Sequence, residues 1–397
     1  MPKLLQINVC LNFSTGKIAQ AIGDAAIAAG WESWIAYSGR SQTISSKSKL
    51  IKVGSFLDAC EHFAENRLFD REGLASRCET KRLVERIKEI QPDVVHLHNI
   101  HDHWLNYRIL FEYLNTTDIE VVWTFHDCWA FTGHCYHFVE ANCDRWRTGC
   151  HDCPLKNKWG LDRSHRNYAL KKSLFAANRY LTIVSCSDWM GGFVKESFLK
   201  YCGQKVIHNG VDLNVYKPAE LERSGKFRII AVSNVWLPYK GINDLYRLRK
   251  ALSDEYELVI VGLTAQQMQT LPKGIIGIQK TQNVQQLVDL YSSADMLINP
   301  TYADTFPTVN LEALACGTPV VTYRTGGSPE AVDENTGIVV EQGDFKRLCA
   351  AIEVVRKNGK AHYSAACRKR AEENFDKGKC FEKYIDLYRS LLKNKRV

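Results

Sequence analysis

Two carboxylates eight residues apart, Asp304 and Glu312, bracket a segment whose grammar is loop then helix. Met296 to Asn299 reads as the end of a buried strand, and Pro300 stops it. Leu311, Leu314 and Ala315 fall on one helix face, and Gly317 ends that helix. Pro319 to Tyr323 reads as a second strand, closed by Gly326 and Gly327. Thr305 or Thr308 is placed to cap the helix, with Pro307 at its start. This order puts a helix N-terminus at the carboxyl end of a strand. There the N–H groups of Thr308, Val309 and Asn310, together with the helix dipole, favour an anion. Carboxylates on either side take hydroxyls. A ligand that carries both a pyrophosphate and sugar hydroxyls, a nucleotide sugar, satisfies all of these groups. An ordinary strand–loop–helix unit with a solvent-facing glutamate has the same periodicity, so the pattern alone leaves both readings open.

Three further clusters carry chemistry. Asp93 to His98 reads as a buried strand that ends in His96, His98, Asn99, His101, Asp102 and His103. His96 and His98 share one strand face, but a metal needs a third ligand at defined geometry, and none is evident. Polar groups at a strand end also suit a sugar. Val121 to Phe125 is a second such strand, followed by His126 and Asp127. Cys128 then precedes Cys135, Cys143, Cys150 and Cys153, the last two as Cys-x-x-Cys. The spacing of those four fits a small zinc knot with four thiolates. Buried unliganded thiols are the alternative, yet five cysteines among Gly and polar residues do not resemble a core.

These groups must be positioned by a large framework. The chain has 397 residues, 45% of them hydrophobic and 24% charged, enough for two domains with full cores. Leu4 to Val9, the polar loop Asn12 to Lys17, a helix from Ile18 to Ala29 and the strand Ser33 to Tyr37 form a βαβ opening, so a doubly wound parallel sheet is expected. Phe56 to Gln91 is helical with a break at Gly73. There Phe63, Leu68 and Phe69 beside Arg67 and Arg71 read either as core with a solvated face or as a membrane-touching surface. Leu181 to Ser185 closes the first domain, and Val206 to Pro218 is the junction. The βαβ rhythm restarts at Phe227 to Val232, with a loop from Trp236 to Gly241, and helices end the chain. The expected boundaries are 1–207, with a cysteine-rich insertion near 128–153, then 208–375, then a terminal helix over 376–397.

Formal charge is +8, which permits nucleic acid, anionic lipid or a phosphorylated substrate as partner. Fourteen cysteines without a secretory signal, and no apolar run of the roughly 20 residues a span needs, predict a cytoplasmic protein in a reducing compartment.

The motif resembles the signature of family-4 glycosyltransferases. An acidic residue is followed eight positions later by Glu-Ala, then Gly-x-Pro-Val-Val, then a Gly pair. The matches are Asp304, Glu312, Ala313, Gly317, Pro319, Val320, Val321, Gly326 and Gly327, with Asp304 where the family usually has Glu. Asn209, Gly210 and Asp212 resemble the family's linker, and Lys240-Gly241 its Lys-Gly pair. The resemblance extends over nearly the whole chain. The cysteine-rich stretch is similar to an insertion in colanic-acid and capsule-type members.

The resemblance implies the α/β GT-B fold: two Rossmann-like doubly wound domains facing a central cleft, with the last helix returning to the first domain. It implies hexosyl transfer with retention from a nucleotide diphosphate sugar, UDP-linked before GDP-linked. The acceptor is a lipid-linked saccharide in capsule, exopolysaccharide or other surface-glycan assembly. The implied catalytic set is His126, Lys240, Asp304 and Glu312. Donor contacts fall on Gly16, Asn234, Lys240, Thr308, Val309, Asn310 and Glu312, and acceptor contacts on His98, Asn99 and His101. Asn234 stands where the family commonly has Arg. No catalytic metal is expected, because Lys240 and the helix amides meet the leaving diphosphate, and a structural zinc falls to the four cysteines. Arg145 to Lys172, the region around Arg67 to Arg71 and the basic tail to Arg396 predict peripheral contact with an anionic membrane. Two rivals remain: a sugar-nucleotide 2-epimerase of the same fold, and a zinc-dependent nucleic-acid-binding protein. The ordered donor motif argues against both, so no nucleic acid is expected as partner.

Overall fold

The computed structural model describes residues 1–139, 141–155, 160–221 and 225–395. The chain divides into two compact units, Met1–Ile207 with Phe381–Val397, and His208–Cys380.

In the first unit, seven strands are β1 (Lys3–Asn8), β2 (Glu32–Ser38), β3 (Lys49–Val53), β4 (Val94–Leu97), β5 (Glu120–Phe125), β6 (Leu181–Ser185) and β7 (Gly203–Val206). They pair in the order β3-β2-β1-β4-β5-β6-β7, and every pair is parallel. The central strands β4, β5 and β6 are buried at every position, as strands covered on both faces must be. The helices are α1 (Ser14–Ala28), α2 (Phe56–Phe69), α3 (Arg77–Ile90), α4 (Tyr107–Leu114), α5 (Ser164–Phe175) and α6 (Asp188–Glu196). Thr80, Leu83, Val84, Ile87 and Ile90 form the buried stripe of α3, and its charged residues face out. Ser55 and Asp58 close a capping box at the start of α2. Behind β4 and β5, Phe111, Trp123, Phe125, Trp129 and Phe175 make the densest part of the core.

Two local expectations are corrected, and two strands come in addition. The helix after β1 begins at Ser14, so Gly16 lies in its first turn and not in a loop. A Cβ on Gly16 would sit 2.4 Å from the Leu11 carbonyl carbon, so a bare residue lets the helix close onto the loop. The edge strands β3 and β7 were not legible because half-exposed strands lack a buried apolar face. Phe63, Leu68 and Phe69 are not core: they are exposed with Phe56 and Leu57, and α2 buries only Ala59 and His62.

In the second unit, six parallel strands are β8 (Phe227–Val232), β9 (Tyr256–Val261), β10 (Ile275–Ile278), β11 (Met296–Asn299), β12 (Val320–Tyr323) and β13 (Gly337–Val340). Their order is β10-β9-β8-β11-β12-β13. The helices are α7 (Ile242–Ala251), α8 (Ala265–Gln269), α9 (Val284–Ser293), α10 (Thr308–Ala315), α11 (Phe345–Asn358) and α12 (Lys360–Asn374). A last helix, α13 (Lys377–Asn394), begins in this unit, and from Phe381 onward it belongs to the first. There the Tyr388 hydroxyl lies 2.6 Å from His96 Nδ1, and the Tyr384 hydroxyl lies 3.1 Å from Thr124 Oγ1. Each sheet reverses its strand order once, between β1 and β4 and between β8 and β11. Ligands of doubly wound sheets bind beyond the carboxyl ends of the strands at such a point.

Candidate active site

The second unit places its polar residues at its reversal point. Lys240 ends the one-turn helix Pro238–Lys240 in the loop after β8, and Asp304 lies in the loop after β11. Lys240 Nζ donates to Asp304 Oδ2 at 2.6 Å and to the Ala303 carbonyl at 3.2 Å. Both side chains are about a quarter exposed, so the pair is reachable by a ligand. The loops touch backbone to backbone. Gly241 has φ +80°, and a Cβ there would lie 2.1 Å from the Pro300 carbonyl oxygen. On the other side, the turn after β12 packs on the Asp304 backbone, and Gly327 N–H donates to the Thr305 carbonyl at 3.0 Å.

Thr308 opens α10, but neither Thr305 nor Thr308 caps it. The cap position is Pro307, and no side chain caps the helix. Proline has fixed φ and no acceptor side chain, so the positive end of the helix is not covered by a hydroxyl. Thr308 and Val309 are half-buried there, and Asn310 is fully buried. Asn310 Oδ1 accepts from Asn299 Nδ2 at 2.9 Å, tying the helix to the end of β11. Its Nδ2, with Thr325 Oγ1 and Ser328 Oγ of the adjoining turn, is buried without a partner among the described residues. Glu312 stands one turn further in. Its Oε2 accepts from the Tyr291 hydroxyl of α9 at 2.9 Å, and Tyr216 also bonds it. Burial, with the Glu312 charge added, pushes the Tyr291 phenol far up. Asn234 is exposed in the loop after β8.

The first unit gathers its histidines beyond β4 and β5. Gln6 Oε1 lies 3.1 Å from His98 Nε2, and His98 Nδ1 lies 3.2 Å from His126 Nε2, with the two rings stacked. Burial lowers the pKa of His96 and His98 well below the ordinary range and brings His126 to about 4, so all three rings are neutral at pH 7. His101 behaves oppositely. Burial works against its charge, but Asp127 Oδ2 lies 2.8 Å from its Nε2 and raises its pKa. Burial alone would raise Asp127; the His101 ring outweighs it, and the carboxyl is held at about 2. His101 Nδ1 is buried without a partner among the described residues. Asn99 N–H donates to Asn8 Oδ1 at 3.2 Å. Gly16 stands apart from these histidines in sequence, at the α1 start beside the end of β1.

Reading the sequence missed Gln6, Glu72, Lys171, Tyr216 and Tyr291, and gave Asp127 no role of its own. Glu72 accepts from the Asp102 backbone N–H at 3.1 Å and from Trp129 Nε1 at 3.3 Å. Lys171 is fully buried over the Trp129 ring, and burial lowers its pKa to about 7. A polar Gln6 inside the apolar run Leu4 to Ile7 was a visible signal. The partners of the others lie far away in sequence.

Cys135, Cys143, Cys150 and Cys153 line one small pocket with His134. Cys135 and Cys153 are hydrogen-bonded to each other, and the Gly133 N–H donates to Cys150 Sγ at 3.2 Å. Soft sulfur donors, an imidazole and an N–H···S bond in one pocket form a donor set that zinc accepts. Among the described residues, no three of these thiols and His134 bring their donor atoms within 4.8 Å of one another; in this region that spacing is reached by Asp70, His134 and Asp162. The Cys128 thiol lies outside this pocket, fully buried in the core.

Two doubly wound parallel sheets, one with a lysine–carboxylate pair and a helix N-terminus at its reversal point, place the chain in the α/β fold class with two Rossmann-like domains. A family model described as Glycosyltransferase Family 4 matches residues 17–215, and one described as Glycosyl transferases group 1 matches residues 226–358. The chain belongs to glycosyltransferase family 4. WcaC of Escherichia coli K12, a colanic acid biosynthesis glycosyl transferase by name, is 27% identical over 371 residues, covering 87% of this chain and 89% of that one. Sucrose-phosphate synthase of Thermosynechococcus elongatus shares the fold at a TM-score of 0.74 and 16% identity, over 99% of this chain and 100% of that one. HepE of Anabaena, solved with UDP and glucose, has a TM-score of 0.67 and 15% identity, over 98% of this chain and 100% of that one. No helix among the described residues is long and apolar enough to cross a membrane.

Proposed function

We propose that the chain transfers a hexosyl unit, with retention, from a nucleotide diphosphate sugar to a lipid-linked saccharide in capsule, exopolysaccharide or other surface-glycan assembly. The observation that carries this is the part-exposed Lys240–Asp304 pair at the reversal point of the second sheet, with Asp304 in the loop that leads into the uncapped N-terminus of α10. In the second unit Lys240 and the α10 N-terminus meet the charge on the leaving diphosphate, Glu312 the ribose, and Asp304 the sugar. In the first unit His126 takes a hydroxyl of the sugar, and His98, Asn99 and His101 take the acceptor. The reading assigns no catalytic metal. UDP is favoured as the nucleotide because HepE, of the same fold, was solved with UDP and glucose. The name of WcaC supports the polysaccharide pathway.

Titration of the purified protein with UDP- and GDP-sugars by calorimetry, followed by NMR of the product's anomeric coupling, tests the reading. Binding of a UDP-sugar and a product that keeps the donor's anomeric configuration are expected. Release of a free epimerised sugar nucleotide without acceptor, or binding of no sugar nucleotide, overturns it.

Two accessory features belong to the same reading. We assign one structural zinc to the cysteine-rich pocket, where it would cross-link a loop-rich segment. We also assign peripheral contact with an anionic leaflet at the cytoplasmic side, through exposed Phe56, Leu57, Phe63, Leu68 and Phe69 of α2 with Arg67 and Arg71 nearby. Of the other two basic surfaces, residues 156–159 of the Arg145 to Lys172 stretch and Arg396 of the tail lie outside the described residues.

A further inference from the structure

We propose that Gln6 and His98 are positioning residues that hold His126 in one tautomer, with its proton on Nε2, so that His126 meets the donor sugar through an accepting Nδ1. This rests on the sugar contact proposed above for His126 and gives that contact its polarity. The relay starts at the backbone. Gln6 is fully buried on β1, and its Nε2 donates to the Ala19 carbonyl of α1 at 2.8 Å. Only the amide nitrogen can face that carbonyl, so Oε1 is the atom turned to His98, 3.1 Å from its Nε2. An amide oxygen accepts and never donates, so His98 carries its proton on Nε2.

The rest follows by counting protons. Burial keeps His98 and His126 neutral, so each ring has one N–H and one lone pair. With its proton on Nε2, His98 offers a lone pair at Nδ1. The atom 3.2 Å from that lone pair is His126 Nε2, which must therefore donate. The His126 lone pair is left on Nδ1. In the opposite relay both protons sit on Nδ1, and the His98 Nε2 lone pair is set against Gln6 Oε1. Gln6 and His98 are 0% and 1% exposed, so neither atom can turn to water, and that arrangement is disfavoured. His96 gives no other route, because its Nε2 lies 2.8 Å from Thr124 Oγ1 and its Nδ1 lies 2.6 Å from the Tyr388 hydroxyl. Both nitrogens of His98 are engaged, so its part in the acceptor site passes through His126. A sugar hydroxyl donates to His126 Nδ1; a group of similar size that cannot donate, such as fluorine, leaves the lone pair unmet.

NMR of the full chain with isotope-labelled histidine reads both tautomers without any ligand, the signals being assigned from His98→Gln and His126→Phe. At pH 7 both rings should carry the proton on Nε2. Gln6→Met removes the accepting oxygen at similar length, and His126 should then populate both tautomers. Calorimetry with UDP-glucose and with analogues in which each hydroxyl in turn is replaced by fluorine reads the consequence. One analogue should bind the unaltered protein about 5-fold or more weaker than UDP-glucose. That difference should vanish in His126→Phe and shrink in Gln6→Met, while the affinity for UDP, which has no sugar to present, stays the same. A proton on Nδ1 of either ring, a charged ring, or an analogue loss that survives His126→Phe overturns the proposal. If Gln6→Met does not fold, the tautomers of the unaltered protein and the His126→Phe comparison still decide it. Binding of no sugar nucleotide overturns the sugar contact itself, whereas the ligand-free tautomers judge the relay separately.

Discussion

Lys240 Nζ and Asp304 Oδ2, 64 residues apart in sequence, stand 2.6 Å apart where the strand order of the second sheet reverses. The pair ties the loop after β8 to the loop that leads into α10. Lys240→Ala should weaken UDP binding about 10-fold or more, since a bond to a charged group contributes about 1.5–3 kcal/mol. Asp304→Asn should leave UDP affinity within about threefold but reduce turnover of the sugar nucleotide. Calorimetry with UDP and with the intact donor separates the two. Equal loss of UDP affinity in both variants would place Asp304 on the diphosphate and not on the sugar.

The Tyr291–Glu312 bond makes a distinct prediction. Glu312→Gln should lower donor affinity at least tenfold, because the charge that holds the ribose hydroxyls is gone. Tyr291→Phe removes a buried hydroxyl from that carboxylate and should cost about 1.5–3 kcal/mol of stability, read from urea unfolding. Normal donor binding by Glu312→Gln would make Glu312 a partner of the tyrosines only.

The histidines of the first unit set a pH dependence. His62 is held near 3 and His126 near 4 by burial, and His96 and His98 are also lowered. The unfolded chain binds protons at these groups below about pH 6.5, whereas the folded chain does not. Stability from them is complete above that value and falls by about 1.4 kcal/mol per pH unit for each histidine as pH drops toward 4. His101 and His134, raised by Asp127 and Asp70 against the effect of burial, contribute in the opposite sense and are outnumbered. Asp127, held near 2, keeps its contribution throughout this window and loses it only as pH falls below about 4. Urea midpoints should fall steeply from pH 7 to 5, and His96→Gln should flatten the slope. A stability independent of pH over that range would show that these rings are hydrated.

Vesicle sedimentation checks the α2 surface. Binding to vesicles with anionic lipid, release by salt, and weakened binding in a Phe63→Ser, Leu68→Ser double variant are expected. Each Lys or Arg near an anionic surface contributes about 1 kcal/mol, screened within a Debye length of about 8–10 Å. No sedimentation at low salt would remove the membrane from the proposed function.

Sequence alone determined the alternation of strands and helices and the strand–loop–helix–strand order around Asp304 to Gly327. Each is written in local periodicity: buried strands as apolar runs, α10 as Leu311, Leu314 and Ala315 on one face, turns as Gly and Pro. Edge strands β3 and β7 and the exposed side of α2 escaped that logic, because burial there depends on what the rest of the fold leaves uncovered. The tertiary structure decided which chemistry-bearing residues meet. Lys240 with Asp304, Tyr291 with Glu312, His101 with Asp127 and His134 with Asp70 are joined across 64, 21, 26 and 64 residues. No spacing rule links such pairs. Parallel strands need long crossovers, and the residues that meet beyond their carboxyl ends come from different crossovers, so strand order and not sequence distance brings them together.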